Sequence, residues 1–127
     1  MRIDFHQIAN EKDNLNFIDK YRNSAWDLNI PYLAAATMKK AEYAFSPFQK
    51  FKYFNQGKKE LELYIQKKPE CVEARYIRYI VQKKIPTFLG YNKNMDTDKQ
   101  YILENLAKSS IPPDYQEFIN DKIKELP

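Results

Sequence analysis

The sequence is poor in glycine, cysteine and histidine, and each shortage excludes a class of functional site. Its 127 residues include two glycines, Gly57 and Gly90, which cannot build a glycine-rich loop for nucleotide phosphates. The single cysteine, Cys71, can form neither an internal disulfide nor a cysteine-based zinc site. The single histidine, His6, has no second histidine with which to bind a metal. We therefore expect no catalytic residue, no metal, no cofactor and no enzymatic activity.

Long apolar segments are missing too. No run approaches the roughly 18 apolar residues that a membrane-spanning helix needs, and the N-terminal residues lack the apolar stretch of a signal peptide. We expect a soluble, cytoplasmic protein that does not bind a membrane, although a leader removed ahead of Met1 would leave no trace in this sequence.

The composition predicts an all-α domain. Hydrophobic residues make up 43% of the chain and aromatic residues 15%, enough for one folded domain over residues 1–127. Only two valines and three threonines are present, and no segment alternates apolar and polar residues as a strand does. Apolar residues recur instead at the helical period of 3.6.

The pattern predicts six or seven helices in consecutive antiparallel hairpins. Five predicted helices lie at about 2–10, 13–22, 31–45, 47–67 and 70–84, and Asp13 is the predicted cap of the second; a sixth follows Asn94 or Asp96, and a seventh runs from Tyr115 to Leu126. Ser46 and Pro47 have the residue types of an N-cap and a first helical residue, so one helix ends and the next begins within about two residues. Such a short link favours antiparallel packing.

The period assigns one residue per turn to the buried face of each helix. The predicted core positions are Leu15, Ile18 and Tyr21 in the second helix, Ala34, Met38, Ala41 and Phe45 in the third, and Phe51, Phe54, Gly57 and Leu61 in the fourth.

Part of the chain resembles a tetratricopeptide repeat. Its second helix is matched in spacing by Gly57, Leu61, Tyr64 and Pro69. The next segment, KKPECVEARYIRY, is similar to the junction between two such repeats. It departs from the pattern at Arg75, where the repeat has tryptophan, and at Tyr79, where it has a small residue. The resemblance implies TPR-like stacking of helical hairpins.

Residues 46–94 also resemble an uncharacterised family of small bacterial helical proteins. The shared pattern is NPFxKxxYFxxGKK followed later by FLGYNKN, with Ser46 here in place of the asparagine. This resemblance implies a helical fold and a role in interaction or scaffolding, and it implies no catalytic residue.

One polar stripe is a candidate partner-binding surface. Arg75, Arg78 and Gln82 lie at i, i+3 and i+7, so two guanidinium groups share one side of a helix and could bind a partner's carboxylate or phosphate. Tyr79 lies beside them. The alternative is structural ion pairing, for which Glu62, Glu70 and Glu73 are near in sequence.

The loop at 85–94 is the second candidate. Phe88, Leu89 and Tyr91 are large apolar residues without a helical period, and such a loop either completes a core or contacts a partner. Gly90 is expected to supply a turn with positive φ.

Charge is concentrated in the middle of the chain. Residues 39–84 contain twelve lysines and arginines against five acidic residues, whereas the net charge of the whole chain is +4.

We expect a module that binds a protein or peptide, with Arg75, Arg78, Tyr79, Gln82, Phe88 and Tyr91 at the contact. The alternative is that the basic segment binds an acidic polymer or nucleic acid, which we consider the weaker reading because most aromatic residues fall on core stripes. The oligomeric state stays open.

Overall fold

The computed structural model describes residues 1–126, which fold into helices joined by short links. Its seven α-helices are α1 (Arg2–His6), α2 (Glu11–Tyr21), α3 (Asn29–Tyr43), α4 (Pro47–Lys67), α5 (Val72–Lys84), α6 (Met95–Asn105) and α7 (Pro113–Glu125). Two 3₁₀ turns lie at Thr87–Leu89 and Leu106–Lys108, and no strand occurs among the described residues. The predicted all-α fold of six or seven helices is confirmed. Over residues 1–126, every helix is too short or too polar to span a lipid bilayer.

The helices group into two compact units. The first unit is Met1–Lys68, with α1 to α4, and the second is Pro69–Pro127, with α5 to α7. That residues 1–127 form one domain stays a prediction.

In the first unit, α3 packs against both α2 and α4. The Asn14 side chain on α2 donates to the Ala36 carbonyl on α3, at 3.0 Å. On the other side, Lys50 Nζ donates to the Ala41 carbonyl at 2.9 Å, whereas Gly57 lies against Ala34. Because later residues of α4 meet earlier residues of α3, these two helices are antiparallel, as predicted.

The close approach of α3 and α4 depends on Gly57. A Cβ atom at this position would lie 2.4 Å from the Ala34 carbonyl oxygen and 2.6 Å from Met38 Cγ. Ala34 and Met38 are buried, as the small-residue stripe on α3 predicts. The absence of a side chain at Gly57 therefore sets the distance between the two helices.

The start of α4 follows from its capping residues. Ser46 Oγ accepts a hydrogen bond from the Gln49 backbone N–H at 3.1 Å, and Pro47 is the first helical residue. The helix ends at Lys67, ahead of Pro69, because the residue before a proline avoids the helical conformation. Both boundaries are those predicted.

Several predicted core positions are wrong. Leu15, Phe45 and Phe51 are exposed, and α2 instead buries Asn14 and Phe17. In α2 the polar residue Asn14 occupies a core position, where its Nδ2 donates to the Ala36 carbonyl while its Oδ1 is buried without a hydrogen-bond partner, so the cost of burying the amide is only partly offset. This helix also begins at Glu11, because Asn10 rather than Asp13 caps it.

In the second unit, α5 is the most deeply buried helix. Its core residues are Val72, Ala74, Tyr76, Ile77, Tyr79 and Ile80. Tyr115, Ile119 and Ile123 are the buried residues of α7. The Tyr76 ring meets the Tyr115 ring edge to face, with centroids 6.4 Å apart.

Candidate functional site

The predicted arginine stripe lies inside the α5–α6 hairpin. Arg78 Nε and Nη2 donate to the two carboxylate oxygens of Asp98 at 2.7 and 2.8 Å. The side chain of Arg78 is 8% exposed and that of Asp98 is fully buried. This bidentate geometry is the one that would bind a partner's carboxylate, and the chain's own Asp98 occupies it.

Two further pairs of side chains join the same face of α5 to α6 and to the residue before it. Gln82 donates to the side-chain oxygen of Asn94 at 3.0 Å and accepts from the Asn94 backbone N–H at 3.1 Å. The Arg75 guanidinium lies 4.1 Å from the centroid of the Tyr101 ring. We call the pairs Arg75–Tyr101, Arg78–Asp98 and Gln82–Asn94 the polar ladder; together they join α5 to α6.

The polar ladder corrects the predicted partner-binding surface. Arg78 and Gln82 are buried and bonded within the chain, and Arg75 also donates to the Pro69 carbonyl at 2.7 Å. Tyr79 is buried as well, with its hydroxyl donating to the Leu126 carbonyl at 3.2 Å. The structural alternative, ion pairing, is the one that the structure shows, and Asp98 on the next helix supplies the carboxylate.

The loop at 85–94 divides between the two alternatives. Tyr91 is buried and completes the core, whereas Phe88 is 82% exposed. Gly90 has φ +70°, the left-handed turn that the sequence predicts. One exposed phenylalanine in this loop is a smaller surface than the three residues predicted together.

A larger exposed aromatic surface lies where α3 meets α4. Phe45, in the link between these helices, is 100% exposed, and Phe48 and Phe51, on the first turns of α4, are 77% and 55% exposed. Phe48 and Phe51 are three residues apart and therefore neighbours on one helix face. We call these three phenylalanines the aromatic end of the first unit.

Sequence reasoning does not find the aromatic end. The buried positions of α4 are Phe54, Gly57, Leu61, Tyr64 and Ile65. One turn before Phe54 falls between Lys50 and Phe51, so the helical period does not decide which of the two is buried. Apolar periodicity therefore places Phe51 in the core, and Phe48 is not among the predicted core positions.

Charged residues of both signs lie on the helices next to the aromatic end. Lys50 and Lys52 are exposed on α4, and the first turn of this helix contains no acidic residue. Lys50 donates to the Ala41 carbonyl near the C-terminus of α3. Burial first, and then the charges of Glu42, Glu11 and Asp13, raise the pKa of Tyr43 on the last turn of α3.

Other parts of the basic segment are tied to groups of the same unit. Lys40 Nζ lies 4.7 Å from the centroid of the Tyr53 ring, and Lys68 forms an ion pair with Asp27. The segment 39–84 is also divided between the two compact units. Within residues 1–126, no group of three or more histidine, cysteine, aspartate and glutamate side chains is placed to bind a metal ion.

Comparisons of the chain with protein-family models, with curated proteins and with solved structures found no match.

Proposed function

We propose that this chain is a non-enzymatic helical module that binds another polypeptide through the aromatic end of its first unit. The observation that carries the proposal is the exposure of Phe45, Phe48 and Phe51 on one end of one hairpin. The TPR-like arrangement and the relation to small bacterial helical proteins, both expected from the sequence, belong to the same proposal. Stacked helical repeats form extended binding surfaces, and the second resemblance adds an expectation of interaction or scaffolding.

The physical argument is the free energy of burying these rings. Transfer of a phenylalanine side chain from water to an apolar contact is worth about 1.5–3 kcal/mol. Exposed apolar clusters of this kind mark interaction sites, and aromatic residues are enriched at the centres of protein interfaces. A partner that covers all three rings therefore gains free energy from the burial of each of them.

Site-specific photocrosslinking tests the proposal. We would replace Phe48 with the photoreactive analogue p-benzoylphenylalanine in the full chain and irradiate it in an extract of its natural host. We expect a discrete adduct with a polypeptide, identified by mass spectrometry, that is lost when Phe45→Ser and Phe51→Ser are added. The loss is expected because Phe45 and Phe51, the two rings beside the analogue, supply most of the other contact area with the partner.

The matched control places the same analogue at Leu103, an exposed apolar residue of the second unit. It should give no discrete adduct. Equal adducts at both positions, or no adduct at Phe48, would contradict the proposed function.

The alternative of an acidic polymer or nucleic acid stays a prediction of the sequence. It requires affinity that falls steeply with salt, because binding would release counterions from the polymer. Salt-independent binding of a single-stranded oligonucleotide would exclude it.

A further inference from the structure

We infer that α1 is a displaceable segment, and that the site it occupies on α2 and α3 binds another polypeptide in which an aspartate precedes a phenylalanine. This inference goes beyond the proposed function and does not rest on it. The site lies against the first turn of α3, at the end of the first unit that is opposite to the aromatic end. The evidence is the pair of side chains by which α1 docks there, Asp4 and Phe5.

The Asp4 side chain binds the last turn of α2. Its carboxylate accepts a hydrogen bond from the Tyr21 hydroxyl and another, at 3.0 Å, from Lys20 Nζ. A hydroxyl and an ammonium group that donate to the same carboxylate form charge-assisted hydrogen bonds, which are stronger than those between neutral groups. This half of the site therefore selects an acidic side chain.

The Phe5 side chain contacts the apolar half of the site. Its ring meets the rings of Phe17 on α2 and Tyr32 on α3 edge to face, with centroids 5.8 and 5.2 Å apart. Both rings are buried in the docked state. An aspartate followed directly by a phenylalanine therefore matches both halves of the site. We call Phe17, Lys20, Tyr21 and Tyr32 the α1 site.

The attachment of α1 is weak. It has five residues, none of which is buried, and a helix of this length is not stable by itself. The N–H groups of Phe5, Gln7 and Ile8 donate to carbonyls within residues 1–5, so these backbone bonds do not join α1 to the other helices. The Asp4 side chain is 41% exposed, and an ion pair at such a position is screened by water.

A terminal segment with so little buried surface opens locally. We expect α1 to be undocked in roughly 0.1–10% of molecules, the usual population of such minor states. In these molecules Lys20 and Tyr21 can donate to the carboxylate of another chain, whose aromatic ring can take the place of Phe5. The docked α1 then acts as an autoinhibitory segment, because it competes with that chain for the same contacts.

The link after α1 disfavours a second copy as the occupant. The Ala9 N–H donates to Asp13 Oδ2 at 3.1 Å, and Asn10 caps α2, so the chain is held to α2 directly after α1. An undocked α1 therefore stays close to its own α1 site, where its effective concentration is high. It returns to this site more readily than it reaches another molecule.

Fluorescence anisotropy with a labelled peptide tests the inference in the full chain. The probe is MRIDFHQIA, the sequence of residues 1–9. In the variant Asp4→Asn/Phe5→Ala the chain's own α1 loses both docking groups, which leaves the α1 site open to the probe. We expect saturable binding to this open variant. Binding to the wild type should be roughly 10–1,000-fold weaker, because its site is free in so few molecules.

Two controls separate docking from other effects of the substitutions. Ile3→Ser changes a residue of α1 that is 68% exposed, so this variant should bind the probe as weakly as the wild type does. A probe that itself carries Asp4→Asn and Phe5→Ala should bind the open variant at least roughly tenfold more weakly than the unchanged probe. Circular dichroism should show the wild-type helical spectrum for both variants, since α1 contains no buried residue.

Hydrogen exchange of the wild type tests displacement without any substitution. The amides of α1 should have protection factors of roughly 10–1,000, the inverse of the undocked population, and those of α3 should be larger. Excess probe should lower the protection of α1 and leave that of α3 unchanged, because the probe takes the site that α1 leaves.

Four results would overturn the inference. They are equal affinity of the probe for the wild type and the open variant, no binding to an open variant that keeps the helical spectrum, protection of α1 as strong as that of α3, and a wild-type dimer in sedimentation equilibrium that Asp4→Asn/Phe5→Ala abolishes. The last would assign the α1 site to a second copy of this chain.

Discussion

At the scale of single residues, Gly57 shows how a missing side chain decides helix packing. Alanine normally stabilises an exposed helix position by about 1 kcal/mol relative to glycine. At Gly57 the added methyl group would meet the Ala34 carbonyl oxygen, a backbone atom that cannot turn away. The packing effect therefore opposes the propensity effect, and it should be the larger of the two.

We predict that Gly57→Ala destabilises the chain by about 1–3 kcal/mol, the usual range for overpacking in a tight contact. Urea denaturation followed by circular dichroism measures the change in the free energy of unfolding. Asn55→Ala, at an exposed position of the same helix, should be neutral or slightly stabilising. A Gly57→Ala variant more stable than the wild type would show that α3 and α4 separate without cost.

Residue-level burial is also where the sequence was least informative. Apolar periodicity correctly predicts that Phe54 and Leu61 are buried. It wrongly predicts that Phe45 and Phe51 are buried, and it does not predict the burial of Asn14. Burial of Asn14 depends on the Ala36 carbonyl, 22 positions away, and no local pattern reveals that partner. A phenylalanine left in solvent is equally invisible, since its residue type is that of a core residue.

At the scale of helices, the polar ladder fixes how α5 and α6 align. Three positions forward on α5, from Arg75 to Arg78, correspond to three positions back on α6, from Tyr101 to Asp98. The next step, to Gln82, again corresponds to an equal step back, to Asn94. The pairs therefore specify one antiparallel alignment, which is a recognised use of buried polar groups.

We predict that Asp98→Asn destabilises the chain by about 3–5 kcal/mol, because it leaves the buried Arg78 charge without its carboxylate. The double variant Arg78→Met/Asp98→Leu should recover most of that loss, since it removes both charges. Guanidinium chloride denaturation gives both values.

Asp19→Asn is the matched control, because it removes the carboxylate of an exposed ion pair with Arg22. It should change the free energy of unfolding by less than about 1 kcal/mol. If Asp98→Asn changed the free energy of unfolding as little as Asp19→Asn does, the polar ladder would not stabilise the α5–α6 hairpin.

Helix boundaries were predictable where the sequence contains capping residues. Ser46, Pro47 and Pro69 gave both ends of α4, whereas α2 was placed two residues late because its cap is Asn10 rather than Asp13. The ladder pairs were not predictable, since the stripe of Arg75, Arg78 and Gln82 looks the same whether it faces solvent or another helix. The partners lie on a helix whose alignment the sequence does not specify.

At the scale of the whole molecule, groups with shifted pKa values make the stability of the fold depend on pH. A hydrogen bond from Tyr21 and then one from Lys20 lower the pKa of Asp4, and Lys68 lowers the pKa of Asp27. Each lowered pKa means that the ionised carboxylate stabilises the folded state. This stabilisation is present above the ordinary carboxyl pKa and is lost as the pH falls through the lowered pKa. Burial raises the pKa of Tyr76, so its contribution is present below about pH 10 and is lost as the pH rises further.

We predict that stability declines above about pH 10 and that Tyr76→Phe makes this decline shallower, by up to about 1.4 kcal/mol per pH unit. Urea denaturation at a series of pH values measures the slope for each chain. The slopes, rather than the stabilities at neutral pH, are compared because the substitution also removes a hydroxyl. Equal slopes for the two chains would show that ionisation of Tyr76 does not oppose the folded state.

The alignment of α5 with α6 depends on contacts along the two helices and on Tyr91 and Asn94 near the end of the link between them. The exposed start of that link, at residues 86–88, can therefore gain residues without shifting either helix. An added residue inside α5 or α6 is different, because it rotates every later side chain by about 100° and breaks the pairs beyond it. Insertions at the exposed tip of this hairpin should therefore be tolerated, whereas insertions within α5 or α6 should destabilise it.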